Sequence, residues 1–181
     1  FMILLSCTIL FSACSSDKAE TTTKAVKEKL IIAQDGEPKS LDVHQGNDGF
    51  SLRANKLIYS RLVESDGDMN IIPGLAESWE QIDDKTMQFK LRKGVKFHNG
   101  YDFTAEDVKF SFDRMANSPR IAFVLPPIEK VEVVDDYTVN IVTKTPFGPL
   151  LAHLSHPALG IVSKKLITED EQSFKEHPIG T

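Results

Sequence analysis

The strongest limit on the fold lies at the front, where the first 29 residues offer nothing from which a core could be built. From Phe1 to Ala13 the chain carries no charge, and Met2, Ile3, Leu4, Leu5, Ile9, Leu10 and Phe11 make an apolar run. Crossing a bilayer core as a helix takes roughly 20 apolar residues. This run is shorter and suits the apolar segment of an export signal, which spans about 7–15 residues and ends in small side chains. Ser12 and Ala13 are small, and Cys14 follows. Ser15 to Lys29 is almost wholly polar and lacks aromatics, a composition that buries too little to offset ordering and suits a flexible tether. The alternative, a buried helix with a core cysteine, is opposed by that polar stretch. A signal opens with Met and basic residues, whereas this chain opens with Phe1; truncation at the front is the expectation.

Folding signals begin at Leu30, so the remaining 30–181 must supply the domain. With 41% hydrophobic residues and 181 in all, the chain suffices for one ordinary domain. A net charge of −5 leaves no basic footprint, which argues against nucleic acid as a partner. Both cysteines, Cys7 and Cys14, precede the domain. A disulfide framework and a thiolate metal site are thereby excluded from it.

Leu30-Ile31-Ile32-Ala33 has the length and bounds of a buried strand. Asn47 or Asp48 can cap a helix running to about Leu62, with Leu52, Leu57, Ile58 and Leu62 as its buried face. Asp66-Gly67-Asp68 is a turn. Trp79 and Ile82, the turn residues Asp83-Asp84, and the alternating Met87, Phe89 and Leu91 predict a hairpin with one buried face. Val95 and Phe97 continue that alternation into the turn Asn99-Gly100. Thr104 can cap a helix with Asp107 at the capping-box position, flanked by Phe103 and Val108 as a hydrophobic staple. That helix buries Val108, Phe112 and Met115 and ends at Asn117-Ser118-Pro119. Val131 and Val133, the turn Asp135-Asp136, and Val139, Ile141 and Thr143 predict a second hairpin. A short apolar segment runs to Leu154, and Ile161-Val162 suits a strand. The total is a mixed α/β chain of the α+β class.

Three strings then resemble one family: Pro73-Gly74-Leu75-Ala76-Glu77-Ser78-Trp79-Glu80, Leu91-Arg92-Lys93-Gly94-Val95-Lys96-Phe97-His98-Asn99-Gly100, and Phe103-Thr104-Ala105-Glu106-Asp107-Val108-Lys109-Phe110-Ser111-Phe112. Ser40-Leu41-Asp42 and His177-Pro178-Ile179-Gly180-Thr181 fit the same pattern in the right order. They are similar to the family 5 extracellular solute-binding proteins, which include oligopeptide-, dipeptide-, glutathione- and nickel-binding members. The resemblance implies a periplasmic-binding-protein-like type II fold of two lobes closing on a ligand, with an extra small domain in the larger lobe. Members are longer than this chain, so it implies the first-lobe segment plus most of the extra domain, from about Asp48 to Leu159, without the second lobe. It further implies the substrate-binding component of an ABC importer, a monomer that meets a peptide or other small solute and a membrane permease. No cofactor and no enzymatic activity belong to that role. Leu10-Phe11-Ser12-Ala13-Cys14 resembles a bacterial lipobox, with Phe11 where Leu is usual. Residues 1–13 are then a lipoprotein signal peptide, Cys14 the lipidated anchor to the membrane at the cell envelope, and 14–29 its tether.

The favoured ligand site is the loop Gly46-Asn47-Asp48-Gly49-Phe50, between the first strand and the first helix, a place where ligand sites recur. Its glycines let backbone approach a ligand, Asn47 and Asp48 offer acceptors, and Phe50 offers an apolar wall. A plain helix cap with turn glycines is the competing explanation. Ser155, His156, Gly180 and Thr181 join the candidates by family analogy alone. A secreted hydrolase using His98, with Asp102 and Ser111, or the pair His153/His156 is the rival function. No nucleophile elbow surrounds Ser111, and Pro157 restricts His156 to extended geometry, which weakens a helical metal-binding pair. A nickel chelate or glutathione is the alternative ligand within the family.

Overall fold

Two hairpins, each closed by an aspartate, generate the main sheet. A computed structural model of the chain describes residues 31–181. It separates into two units, residues 1–33 and Gln34–Thr181, and the architecture here is that of the second. The signal, Cys14 and the tether lie outside the described residues. Strands β1 (Val63–Ser65) and β2 (Ile71–Pro73) follow the short helix α1 (Gly49–Asn55) and pair with each other. Strands β3 (Ala76–Gln81), β4 (Thr86–Leu91), β5 (Ile128–Asp135) and β6 (Thr138–Thr143) form an antiparallel sheet in the order β3-β4-β6-β5. Helix α2 (Ala105–Ala116) lies between β4 and β5 in sequence, and helices α3 (Leu150–Leu154) and α4 (Lys164–Glu176) follow β6.

The hairpin turns are built by side chains. Asp83 Oδ1 accepts the amides of Lys85 at 2.8 Å and Thr86 at 2.9 Å, and Asp135 Oδ1 accepts the Tyr137 amide at 2.8 Å. Such local bonds fix a turn before the strands meet. The strand period of two then sorts the faces. Phe89 lies opposite Val139, and Val131 opposite Ile141, and all four are buried in the main core. Gln88 and Asn140, one position out of phase, bond each other at 2.9 Å on the other face. Register breaks fall between Ala76 and Ser78 in β3 and near both ends of β5.

Helix α2 covers the core with Val108, Phe112 and Met115, each buried. Its capping box forms as expected: Asp107 Oδ2 accepts the Thr104 amide at 2.9 Å. Phe103 and Val108 are both fully buried. The other oxygen of Asp107 accepts the Lys164 amide at 2.8 Å, which ties the start of α2 to the start of α4.

Four expectations change. Ile31 and Ile32 are exposed and form no strand, and Leu30 lies outside the described residues. Helix α1 stops at Asn55 instead of reaching Leu62: Leu57 and Ile58 donate to Ala54 and Asn55, closing three-residue turns. Its buried residues are the polar Ser51 and Asn55, while Leu57 is exposed and Leu62 joins the main core. Ile161 and Val162 are fully buried without being a strand. Their amides go singly to Ser60 O at 2.9 Å and Ser111 Oγ at 3.0 Å. Finally, β1, β2 and α4 have no counterpart among the expected elements.

Candidate functional site

The loop Gly46–Phe50 opens α1, and Asp48 is that helix's N-cap. Asp48 Oδ1 accepts the amides of Phe50 at 3.2 Å and Ser51 at 3.0 Å, and its Oδ2 accepts the Ser51 hydroxyl at 2.6 Å. The Ser51 hydroxyl and amide hold this carboxyl below the usual range. Both acceptor oxygens expected to meet a ligand therefore serve the helix start. Asn47 Nδ2 donates to the Arg120 carbonyl at 3.0 Å, which brings the segment after α2 against the loop. Phe50 lays its ring over Gly36, where a Cβ would come within 2.5 Å, and the Arg53 guanidinium sits 5.4 Å from the ring centroid. Gly46 is needed for close packing, since a Cβ there would lie 2.7 Å from Ser51 Cβ. A Cβ at Gly49 would meet only Arg53 Nη2, at an ordinary contact distance of 3.8 Å.

Of the other four candidates, Gly180 and Thr181 lie against residues 58–60, while Ser155 and His156 stand at the end of α3. Gly180 exchanges bonds with His98: its carbonyl accepts the His98 amide at 2.9 Å, and its amide donates to His98 Nδ1 at 3.3 Å. The Thr181 carbonyl accepts from Ser60 Oγ at 3.2 Å, while Thr181 Oγ1 is buried without a partner among the described residues. Ser155 Oγ donates to the Ala152 carbonyl at 2.8 Å. His156 Nδ1 accepts the Ala158 amide at 3.2 Å and so caps the one-turn helix Pro157–Leu159. Burial, followed by the charges of Arg61 and His153, pushes the His156 pKa down. Helix α1 packs against that one-turn helix. Among the described residues no hydrogen bond joins the loop to Ser155, His156, Gly180 or Thr181.

Neither rival catalytic set assembles. Ser111 is fully buried on α2, its hydroxyl donating to the Asp107 carbonyl at 2.7 Å and accepting the Val162 amide at 3.0 Å. Asp102 pairs with Lys96 at 2.5 Å, and His98 Nδ1 is taken by Gly180. His153 stands edge-on to Phe147, with centroids 5.1 Å apart, while His156 is a cap. Among the described residues no group of three His, Cys, Asp or Glu side chains could hold a metal.

A surface hollow of about 340 Å³ lies away from the loop, between the starts of α2 and α4. Its walls answer each other: Lys164 pairs with Glu106 at 2.9 Å, Tyr101 donates to Glu169 at 3.2 Å, and Lys165 sits 4.3 Å from the Tyr101 ring centroid. Walls already paired with each other leave few free polar groups for a ligand.

Several buried or half-buried charged groups carry little or no signal in the sequence. Asp42 and Arg114 make a bidentate pair across 72 positions of sequence. Arg61 is buried, pairs with Glu64, and leaves Nε and Nη1 without partners among the described residues. His44 is buried between the Gly160 carbonyl and the Ser118 hydroxyl. Only Asp42 had a signal in the sequence, through its place in Ser40-Leu41-Asp42; nothing local pairs it with Arg114.

Residues 70–181 match the family profile of the bacterial extracellular solute-binding proteins, family 5 Middle, and the chain belongs to this family. A glutathione-binding protein, GsiB, from Pectobacterium atrosepticum is 37% identical over 155 residues, covering 83% of this chain and 30% of its own. The solute-binding protein MoaA from A. tumefaciens, solved with mannopinic acid, is 35% identical with a TM-score of 0.72, over 80% of this chain and 31% of its own. NikZ from Campylobacter jejuni, solved with Ni(L-His), is 31% identical with a TM-score of 0.72, over 86% and 32%. The chain thus spans about 30% of the length of the curated relatives it matches. The fold is that of a segment of a type II periplasmic binding protein, as the resemblance implied.

Proposed function

We propose that this chain is part of the substrate-binding component of an ABC importer, which captures a peptide or similar small solute outside the cytoplasmic membrane and delivers it to a permease. The observation that carries this reading is the family match over residues 70–181. Relatives bearing glutathione, mannopinic acid and a nickel–histidine complex in their descriptions support small polar solutes as the ligand class. The work is conformational: a solute that binds the closed form better shifts the lobes toward closure, and no bond is made or broken. Within this reading Gly46, Asn47, Asp48, Gly49 and Phe50 border the cleft. Ser155, His156, Gly180 and Thr181 are secondary positions there. The finer parts of the reading are export, lipid attachment at Cys14 and a monomeric state. A single lipid chain holds a protein to a membrane only marginally, so attachment at Cys14 calls for more than one.

The test is thermal unfolding of the protein that carries this chain, with a panel of di- to hexapeptides, glutathione and a nickel–histidine chelate. A ligand present at 100 times its Kd stabilises by about 2.7 kcal/mol, which raises the melting temperature measurably. The expected outcome is such a rise with one class of the panel. No rise with any member would overturn the proposal.

A further inference from the structure

Beneath the loop runs a chain of polar contacts that starts on α2. Arg114 stands in the last turn of α2, and its guanidinium meets both oxygens of Asp42, Nη1 to Oδ1 at 2.8 Å and Nη2 to Oδ2 at 2.5 Å. Asp42 is 2% exposed and Arg114 13%. Asp42 Oδ1 also accepts the His44 amide at 3.0 Å. Ser40 Oγ accepts the Asp42 amide at 3.1 Å, and the Ser40 amide donates to Ser51 Oγ at 3.1 Å. That hydroxyl in turn donates to Asp48 Oδ2 at 2.6 Å. On the far side, Ser118 Oγ donates to the His44 carbonyl at 2.6 Å. An unbroken series of bonds therefore joins Arg114 to Asp48, although Arg114 is bonded to no residue of Gly46–Phe50 among those described.

Net stability does not explain this arrangement well. Removing two charges from water costs several kcal/mol per ion, and apolar replacements of a buried pair are often neutral or better. A bidentate fork supplies orientation, because two parallel bonds allow one alignment where a point charge allows many. Two of the five loop residues are glycines, which add conformational freedom before folding, and the bond from the Ser40 amide to Ser51 Oγ joins the loop's own cap in fixing it. A loop already held in its binding shape spares the solute the entropy of ordering it.

We propose that Arg114 and Asp42 are positioning residues for the solute loop, holding Gly46–Phe50 in shape through Ser40, Ser51 and Asp48. This rests on the loop bordering the cleft, as argued above. The experiment uses the protein that carries this chain, with the double variant Asp42→Asn/Arg114→Gln, the single variant Arg114→Lys, and Ser40→Ala. Three quantities are read: the global unfolding midpoint, affinity for whichever panel solute binds the unaltered protein, and hydrogen exchange at the Phe50 and Ser51 amides without solute. The double variant is expected to unfold near the original midpoint, bind about tenfold more weakly and lose about tenfold of its protection at those two amides. Arg114→Lys restores charge without the fork and recovers only part of both. Ser40→Ala breaks the link while leaving the ion pair, so it loses protection in the same place.

Original affinity and original protection in a folded double variant would overturn the proposal. If the double variant does not fold, Ser40→Ala decides alone: unchanged exchange at Phe50 and Ser51 refutes the link. Should the unaltered protein bind nothing in the panel, the function reading fails by itself, and the exchange measurements still decide whether the pair positions the loop.

Discussion

At Gly180 the backbone passes so close to residues 58–59 that an added Cβ would run into the Ile58 carbonyl and lie 3.2 Å from Tyr59 Cα. Both obstacles are main-chain atoms, which cannot rotate out of the way as a side chain can. Gly100 is glycine for a different reason: space around it is open, but its φ is +87°, where an L side chain is strained. The two alanine variants should therefore separate in a urea titration. Gly100→Ala should lose roughly 1–2 kcal/mol for the left-handed backbone, whereas Gly180→Ala should lose more than about 2 kcal/mol, as overpacking against an unyielding neighbour does. Equal losses would refute the crossing seen here. Asp48 teaches a related lesson about single residues. An aspartate between an asparagine and a glycine, just before a helix, reads equally as a cap or as a ligand acceptor, and only geometry shows that both its oxygens serve the cap.

Strand β6 is the central test among the elements, because it pairs on both sides. Ile141 is fully buried and Val142, one position on, is half-buried on the other face. Ile141→Ala should cost roughly 2–5 kcal/mol and Val142→Ala less than about 1 kcal/mol, read as unfolding midpoints at constant slope. The sheet strands were legible because alternation and aspartate turns are local, and α2 because its cap and staple are local. The end of α1 was not: Leu57 and Leu62 continue a helical pattern, yet Leu62 is claimed by the main core. Ile161-Val162 looked like a strand because burial, not pairing, makes a short apolar run. Helix α4 was hidden twice, since its only buried residues are Ile167 and Phe174 and the backbone breaks at Asp170. Asp170 Oδ1 accepts the Ser173 amide at 2.9 Å there, starting the second half anew. In the candidate site the loop could be read from residues in sequence, while the Asp42–Arg114 fork beneath it could not, since 72 positions separate its halves.

For the molecule as a whole, acid should be the first stress to show. Burial and then the Arg114 charge press the His44 pKa from 6.5 down to about 4, so the fold holds this imidazole neutral. An unfolded chain takes up that proton near 6.5, so between about 6.5 and 4 the unfolded state binds more protons. His44 thus contributes full stability above about pH 6.5, loses it as pH falls toward 4, and adds no further slope below. The window spans on the order of 3 kcal/mol. His44→Gln should flatten the dependence of unfolding free energy on pH across it, and an unchanged slope would count against a buried neutral His44. Burial raises the Asp42 carboxyl, but the Arg114 fork and charge outweigh that and hold it below 3.8, so its loss is confined to lower pH. The register breaks in the outer strands have a consequence at this scale too. An unbroken outer strand is a template on which a second chain can lay its own backbone. Strand β5 is interrupted near each end and carries exposed Lys130 along its length, and β3 is interrupted near its start. Neither margin of the four described strands presents an even row of free donors and acceptors, so crowding of many copies should not lengthen the sheet.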